Sequence, residues 1–174
     1  MSPPLSIDPI AEARRHWEER WGPEPARPMA AITSIMRAQQ VLLARLNELL
    51  GPLDLTFPRY EALMLLSFTR TGALPLGKVG ERLQVHRTSV TNIIDKLEKD
   101  ELVRRVPHVA DRRTTLAEIT DAGREVATRA TALLNDDAFG LAALDDSEQE
   151  QLTELLRTLR IEAGDFAEAP VPKA

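Results

Sequence analysis

Apolar side chains recur every three or four residues along most of the chain, the spacing that places them on one face of an α-helix. This pattern predicts seven helices, over about residues 8–21, 29–50, 56–68, 76–83, 86–100 and 120–134 and from residue 147 onward. Two short stretches, 102–106 and 115–119, have instead the composition of strands and flank a charged turn, which predicts a β-hairpin. We therefore expect a mainly α-helical protein with one small hairpin.

Capping residues predict several of the helix ends. Asp8 suits the cap of the first helix, with Pro9 at its first position, and the proline-rich run 22–28 is expected to end that helix. Ser147 and Glu150 have the spacing of a capping box, in which each side chain bonds the backbone N–H of the other residue. In the third helix four side chains are expected on the buried face, namely Tyr60, Leu63, Met64 and Phe68.

Long apolar stripes lie towards both ends of the sequence, at 29–50 and 120–165. In the final helix the stripe consists of Leu152, Leu155, Leu156 and Leu159. A dimerisation domain built from both termini explains these stripes, and a monomeric helical bundle is the alternative. The expected division is an added N-terminal helix and first dimerisation helix over residues 8–50, a central lobe over 55–119, C-terminal dimerisation helices over 120–166 and a disordered tail over 167–174.

Composition excludes several classes of function. The chain has no cysteine, and its three histidines, His16, His86 and His108, lack metal-ligand spacing. No serine lies in a nucleophile motif and no glycine-rich loop follows a strand, so we expect neither an enzyme nor a bound metal or cofactor. No apolar run approaches ~20 residues and the N-terminus lacks a signal pattern, so we expect a cytoplasmic protein without a membrane partner.

The net charge of −5 is unevenly distributed. Residues 1–77 carry eight basic and eight acidic side chains, residues 78–115 carry nine and six, and residues 116–174 carry five and thirteen. A locally basic segment inside an acidic protein is typical of a nucleic-acid-binding surface joined to a separate assembly domain.

The basic segment has the layout of a helix-turn-helix. A short helix at 76–83, a tight turn and a helix at 86–100 would let the second helix enter the major groove of double-stranded DNA. Val90, Ile94 and Leu97 would hold this second helix against the first. Its outer face carries side chains suited to contacts with bases or phosphates, namely His86, Arg87, Thr88, Ser89, Thr91, Asn92 and Lys96.

The predicted hairpin has a basic tip at Asp111, Arg112 and Arg113. A two-stranded ribbon tipped with arginine fits the narrow minor groove, where negative potential is concentrated. Asp111 would orient one arginine through a carboxylate–guanidinium pair and leave the other free to meet DNA. We favour Arg113 as the braced residue and Arg112 as the one that reaches the groove, and the reverse assignment stays open.

The runs 85–91 and 97–100, and the run from Asp111 that ends in Leu-x-x-Ile-Thr-x-x-Gly at Gly123, resemble the MarR family of winged-helix regulators. The resemblance covers about residues 30–162 and implies a winged helix-turn-helix in a homodimer that binds a pseudo-palindromic operator, usually as a repressor. It also implies a small-molecule pocket between the DNA-binding lobe and the dimer helices.

Where the family commonly has glycine after the second helix of the helix-turn-helix, this chain has Glu101, so we expect that helix to end differently or its turn to be reshaped.

The added N-terminal helix resembles a branch of this family that responds to urate. By that resemblance Trp17 or Trp21, Glu61 and Arg105 would line a ligand pocket. Apart from the resemblance, Arg59 and His16 are candidate anion partners, with ordinary surface residues as the alternative. The branch has arginine where this chain has Ile93 and aspartate where it has Glu61, so an aromatic or carboxylate metabolite is expected instead of urate specifically. The two tryptophans could alternatively be packing anchors.

These observations predict a ligand-responsive transcriptional regulator, acting as a repressor, that is released from its operator by a small metabolite. An architectural or constitutive DNA-binding protein without an effector is the alternative.

Overall fold

The computed structural model describes residues 5–108 and 113–166. Within these ranges the chain forms seven α-helices and one three-stranded antiparallel sheet, so the predicted class, mainly α with a small β-hairpin, is confirmed. Asp111, Arg112 and the predicted disordered tail 167–174 lie outside the described residues. None of the helices in the described ranges combines the length and the hydropathy that a bilayer span requires.

The elements alternate in a simple order along the chain. The helices are α1 (Pro9–Trp21), α2 (Pro23–Leu50), α3 (Phe57–Ser67), α4 (Leu76–Leu83), α5 (Arg87–Lys99), α6 (Asp121–Asp136) and α7 (Asp146–Glu162). The strands are β1 (Ala73–Pro75), β2 (Val103–Pro107) and β3 (Thr115–Ile119). Strand β3 lies in the centre of the sheet and pairs antiparallel with both neighbours. The sequence pattern predicted β2 and β3 but missed β1, which has only three residues.

Helix α1 ends at Trp21 as predicted, but the predicted start of the second helix at about residue 29 is wrong. The Asp8 carboxylate accepts a hydrogen bond from the Ile10 N–H at 2.9 Å, and Gly22 turns the chain with φ +91°. Helix α2 then begins at Pro23, six residues before its predicted start, and packs along α1. Prolines in the first turn cost no helical hydrogen bond because the N–H groups there have no intrahelical acceptor. Pro28 lies further inside the helix and removes only one backbone hydrogen bond.

The capping box of α7 forms two residues earlier than predicted. The Glu148 N–H donates to Asp145 Oδ1 and the Asp145 N–H donates to Glu148 Oε2, both at 2.9 Å. The predicted pair, Ser147 and Glu150, is wrong because aspartate caps a helix as well as serine does and the run offers both. Ser147 therefore lies inside the first turn.

The core of the lobe lies where α3, α5, α6 and the sheet meet. Of the four residues predicted on the buried face of α3, Tyr60 and Leu63 are buried and Met64 packs against the core, but Phe68 is 79% exposed. Leu66 is fully buried, and Phe68, two residues later, is turned about 200° away from it around the helix. The prediction for Phe68 is therefore wrong.

The helices at the two ends of the chain leave much apolar surface uncovered. Neither α1 nor α7 has a buried residue, although α7 is 17 residues long. Exposed apolar side chains on α2, α6 and α7 include Ile32, Met36, Val41, Leu133, Leu155 and Leu159. The long apolar stripes predicted from the sequence are thus present on the surface of the single chain.

Candidate nucleic-acid interface

Helices α4 and α5 pack as the helix-turn-helix pattern predicts. Helix α4 has its predicted bounds, and α5 begins and ends one residue inside its predicted range. Val90, Ile94 and Leu97 are at most 3% exposed and hold α5 against the lobe. Gly80 allows the close approach, since a Cβ added there would lie 3.0 Å from Val90 Cγ2.

His86 caps the N-terminus of α5. The Thr88 N–H donates to His86 Nδ1 at 3.3 Å, and the Ser89 and Val90 N–H groups donate to the His86 carbonyl. The residue was predicted only as a DNA contact. Its exposed ring also fixes the first turn of the helix, because it satisfies a backbone donor that the helix itself leaves unpaired.

The outer face of α5 is exposed. All seven residues predicted to contact DNA on this helix and its cap are exposed: His86, Arg87, Thr88, Ser89, Thr91, Asn92 and Lys96. Six side chains, His86, Arg87, Thr88, Thr91, Asn92 and Asp95, line one shallow concave surface. Asp95 lies on the same face, seven residues after Thr88, but it was not among the predicted contacts.

The wing stands beside this helix. The pair β2–β3 is in register from Val103 opposite Ile119 to Pro107 opposite Thr115, and the His108 N–H donates to the Thr114 carbonyl at 3.0 Å. A groove of about 880 Å³ separates the wing from α4 and α5, and Arg87, Thr91, His108 and Arg113 are among its lining residues. Because Asp111 and Arg112 lie outside the described residues, the bracing of Arg113 stays a prediction.

Ion pairs stiffen the wing along its strands. Arg104 Nε donates to Glu118 Oε2 at 2.7 Å across directly opposed positions of β2 and β3. The hydrogen bond from the Arg104 guanidinium holds the pKa of Glu118 below its ordinary value. Next along β2, Arg105 points to the other side and forms ion pairs with Asp95 and Glu98 of α5. The wing is therefore fixed to the helix that carries the exposed polar face.

The residues predicted to bind a ligand lie in separate surroundings. Trp17 and Trp21 contact each other on α1, with ring centroids 4.4 Å apart. Glu61 is exposed on α3, where partial desolvation raises the pKa of its carboxyl. Arg59 donates to Asp100 at 3.3 Å and lines a groove of about 630 Å³ beside α5 that contains none of the other four residues. Arg105 is committed to its carboxylate partners.

The end of α5 corrects one expectation. Glu101 adopts φ +59°, so the helix ends as it would with glycine at this position, and the prediction of a different end is wrong. The Glu101 N–H donates to the Glu98 carbonyl at 3.0 Å and the Leu102 N–H to the Leu97 carbonyl at 2.9 Å, the two bonds of a Schellman motif. Thr120 Oγ1 donates to the Glu101 carbonyl at 2.9 Å, which holds the residue in place.

Comparison with known proteins identifies the family to which this chain is similar. The MarR family profile matches residues 55–115, the segment from before α3 to the start of β3. The MarR family transcriptional regulator Sco5413 from Streptomyces coelicolor is similar in sequence and structure, with 52% identity, a TM-score of 0.76 and coverage of 82% of this chain and 99% of that chain. The HTH-type transcriptional regulator MhqR from Bacillus subtilis is 34% identical over 103 residues, which are 55% of this chain and 66% of that protein.

A second Streptomyces coelicolor regulator of the family, Sco3205, is known in complex with DNA. Sco3205 is 23% identical to this chain, and the two structures superpose with a TM-score of 0.71 over 82% of this chain and 93% of Sco3205. This likeness shows the fold alone. All three relatives are transcriptional regulators and none is an enzyme. From the profile match and the identity to Sco5413 along almost its whole length, this chain belongs to the MarR family of winged-helix transcriptional regulators.

Proposed function

We propose that this regulator binds operator DNA as a homodimer, with α5 in the major groove and the β2–β3 wing at the adjacent minor groove. The observation that carries the proposal is the exposed polar face of α5 directly beside the wing groove. Helix α5 has 13 residues and is about 20 Å long. An α-helix with its side chains is about 10–12 Å across, so α5 fits the major groove, which is about 12 Å wide. The related regulator Sco3205 is known bound to DNA, which supports the same use of the fold here.

The side chains of this face suggest a division of roles. Asn92 has the donor and acceptor pair that matches adenine in the major groove, and Thr88 and Thr91 are short enough to let the helix approach the bases. Arg87 and Lys96 flank them and suit phosphate contacts. Arg112, outside the described residues, is the proposed minor-groove contact, and Arg113, which lines the groove beside the wing, is the arginine proposed to be braced by Asp111. The reverse assignment of the two arginines stays the alternative.

A second copy of the chain supplies the twofold symmetry that a palindromic site requires. The exposed apolar stripes on α2, α6 and α7 need cover, and a homodimer gives it without a further partner. We assign residues 8–50 and 120–166 to this dimer domain and residues 55–119 to the DNA-binding lobe. The two copies of α5 would then meet successive major grooves on one side of the duplex, about 34 Å apart.

The proposal predicts how two arginine variants differ in DNA binding. Arg87→Ala should weaken binding to the promoter of the coding sequence and lower the slope of log affinity against log salt by about one unit, because one phosphate contact is lost. Arg70→Ala, which removes the same charge from an exposed position in the turn between α3 and β1, is the matched control and should bind as the wild type does. Fluorescence anisotropy of a labelled duplex over a salt series measures both. A wild-type protein that ignores duplex DNA at low ionic strength contradicts the proposal.

Repression and response to a metabolite form the finer part of the proposal. The residues proposed for an aromatic or carboxylate effector remain Trp17, Trp21, Arg59, Glu61 and Arg105. In a dimer the exposed Trp17–Trp21 pair is available to a pocket to which two chains contribute. Release of the labelled promoter by candidate metabolites tests this, and a purified regulator that represses the promoter in vitro without any such release favours a constitutive DNA-binding protein.

A further inference from the structure

A negative charge lies on the face of α5 that is proposed to meet DNA. Asp95 follows Thr88 by seven residues and Asn92 by three, so the three side chains lie on one side of the helix. The Asp95 side chain is 56% exposed and shares the concave surface lined by His86, Arg87 and Thr91. A carboxylate in this position faces the duplex and not the interior of the lobe.

Such a carboxylate lowers affinity for every duplex, because it approaches a polyanion. The loss of affinity depends on which base lies opposite the carboxylate, and it can be smaller for some bases than for others. Cytosine N4 and adenine N6 present amino donors in the major groove, whereas guanine O6 and N7 and thymine O4 present only acceptors. An ionised carboxylate only accepts hydrogen bonds, so it pairs with the first group and is repelled by the second.

The second observation is that Asp95 is held in one orientation by the wing. Arg105 Nη2 donates to Asp95 Oδ1 at 2.5 Å, while Arg105 Nη1 is paired with Glu98 Oε2. Glu98 Oε1 also accepts the Arg105 backbone N–H at 3.0 Å, which fixes the position of the arginine itself. Glu98 alone already balances the charge of Arg105, so the bond from Arg105 to Asp95 is not needed to neutralise the arginine. Its effect is to hold the Asp95 carboxylate in one orientation. In the described parts of the chain no donor is bonded to Asp95 Oδ2.

We propose that Asp95 is a specificity-determining residue of this regulator, which accepts a hydrogen bond from the exocyclic amino group of a cytosine or adenine through Oδ2. Arg105 is its positioning residue: it holds Oδ1 from the wing strand and leaves Oδ2 to the base. This inference rests on the proposed DNA binding by α5. It makes the wing a determinant of major-groove reading and not only of minor-groove contact, because the brace comes from β2.

Specificity obtained in this way lowers general affinity. Removal of the carboxylate should strengthen binding to random duplex while it weakens discrimination, since repulsion of the wrong base is part of the mechanism. A purely structural ion pair predicts neither effect, because the wing would still be tied to α5 through Glu98. The two explanations therefore differ in a measurable quantity.

The experiment is selection of bound sequences from a randomised duplex library, followed by affinity measurements on the selected site and on random duplex. The wild type should enrich a base with an amino donor at one symmetric position in each half-site. Asp95→Ala should lose that preference, with discrimination at this position falling about tenfold or more and affinity for random duplex rising. Asp95→Asn, which has nearly the same shape, should accept all four bases there, since an amide both donates and accepts.

Arg105 is tested by the same readout. Arg105→Met should reduce the preference at the same position and at no other, and Arg105→Lys should restore part of it. Asp100→Ala is the matched control: it removes a carboxylate paired with Arg59 at the end of the same helix, and the selected sequence should be unchanged.

The possible results separate this inference from the proposed function. A wild type that enriches a palindrome while Asp95→Ala and Asp95→Asn enrich the same one overturns the role of Asp95 and leaves DNA binding intact. A wild type that enriches no sequence overturns both. Thermal unfolding of each variant identifies any loss of the fold, and if either Asp95 variant fails to fold, the other decides.

Discussion

Glu101 occupies a left-handed backbone position in which glycine would be unstrained, at the end of the helix that carries the candidate DNA surface. A residue with a Cβ costs about 1 kcal/mol there. The conformation persists because the carbonyl of Glu101 is held by Thr120 and the following N–H completes the helix end. The helix therefore ends as it would with glycine, although the residue is glutamate.

Replacement of Glu101 by glycine should therefore stabilise the protein by about 1 kcal/mol, because the strain disappears while the hydrogen bonds remain. Urea denaturation followed by circular dichroism measures the change. Glu125→Gly is the matched control, since Glu125 is exposed in the middle of α6, and it should destabilise the protein by a similar amount. If both substitutions lowered the free energy of unfolding, the backbone at Glu101 would not be strained.

Gly123 explains the glycine in the Leu-x-x-Ile-Thr-x-x-Gly pattern. A Cβ at this position would lie 2.1 Å from the Leu102 carbonyl oxygen and 2.9 Å from Ile119 Cγ1, so the first turn of α6 touches the base of the wing. Gly77, by contrast, is exposed in α4 and has nothing within 4 Å of such a Cβ.

We expect Gly123→Ala to destabilise the protein by about 1–3 kcal/mol or more, because backbone has to move to admit the methyl group. Gly77→Ala should instead leave stability unchanged or raise it by up to about 1 kcal/mol, as alanine favours helix. Thermal unfolding midpoints of the two variants provide the comparison, and similar midpoints would contradict the close contact at Gly123.

Among the elements, the connection between α6 and α7 is tied to α2 by an ion pair. Arg45 Nη2 donates to Asp137 Oδ1 at 2.5 Å and Arg45 Nε to Oδ2 at 3.2 Å. This hydrogen bonding by the guanidinium holds the pKa of Asp137 below its ordinary value. A carboxyl whose pKa is lowered in the folded state adds stability above its unfolded pKa and loses it as pH falls through the folded pKa.

Asp137→Asn should accordingly be less stable than the wild type near neutral pH, and the difference should shrink as the pH falls below about 4. Urea midpoints measured from neutral to acidic pH test the sign. Asp136→Asn removes the same charge one residue earlier, at an exposed position of α6, and should follow the wild-type curve. A difference that grew towards acidic pH would contradict the pairing.

The sequence predicted elements wherever periodicity or capping chemistry was strong. The bounds of α4 and α5 followed within one residue, since buried Val90, Ile94 and Leu97 repeat at helical spacing. Strand β1 was missed because it forms only through its ladder with β3, a long-range contact that no local pattern contains. The same holds for the ion pair from Arg105 to Asp95, whose partners become neighbours only once β2 lies along α5.

At the scale of the whole molecule, the apolar surface of the end helices bears on assembly. Leu155 is 68% exposed and Leu159 is 56% exposed on α7, a helix without buried residues in the single chain. A soluble monomer gains nothing from such a stripe, whereas a dimer that buries it gains free energy in proportion to the apolar area.

The double variant Leu155→Ser, Leu159→Ser should shift the protein from dimer towards monomer in sedimentation and weaken operator binding with it. Phe68→Ser is the matched control, because Phe68 is also highly exposed but caps the end of α3 and does not belong to the α7 stripe. It should leave the dimer intact. A double variant that sediments like the wild type would place the interface elsewhere.

The junction at Thr120 has a mechanical consequence. The Thr120 N–H donates to the Leu102 carbonyl, its hydroxyl donates to the Glu101 carbonyl, and Gly123 lies against the same backbone. The start of α6 is therefore rigidly attached to the lobe that carries α5 and the wing. Helix α6 has 16 residues and is about 24 Å long, so a tilt of about 10° at its far end moves the lobe by about 4 Å. In the proposed homodimer, small rotations between the two subunits would therefore change the distance between the two copies of α5, which would no longer match the spacing of successive major grooves.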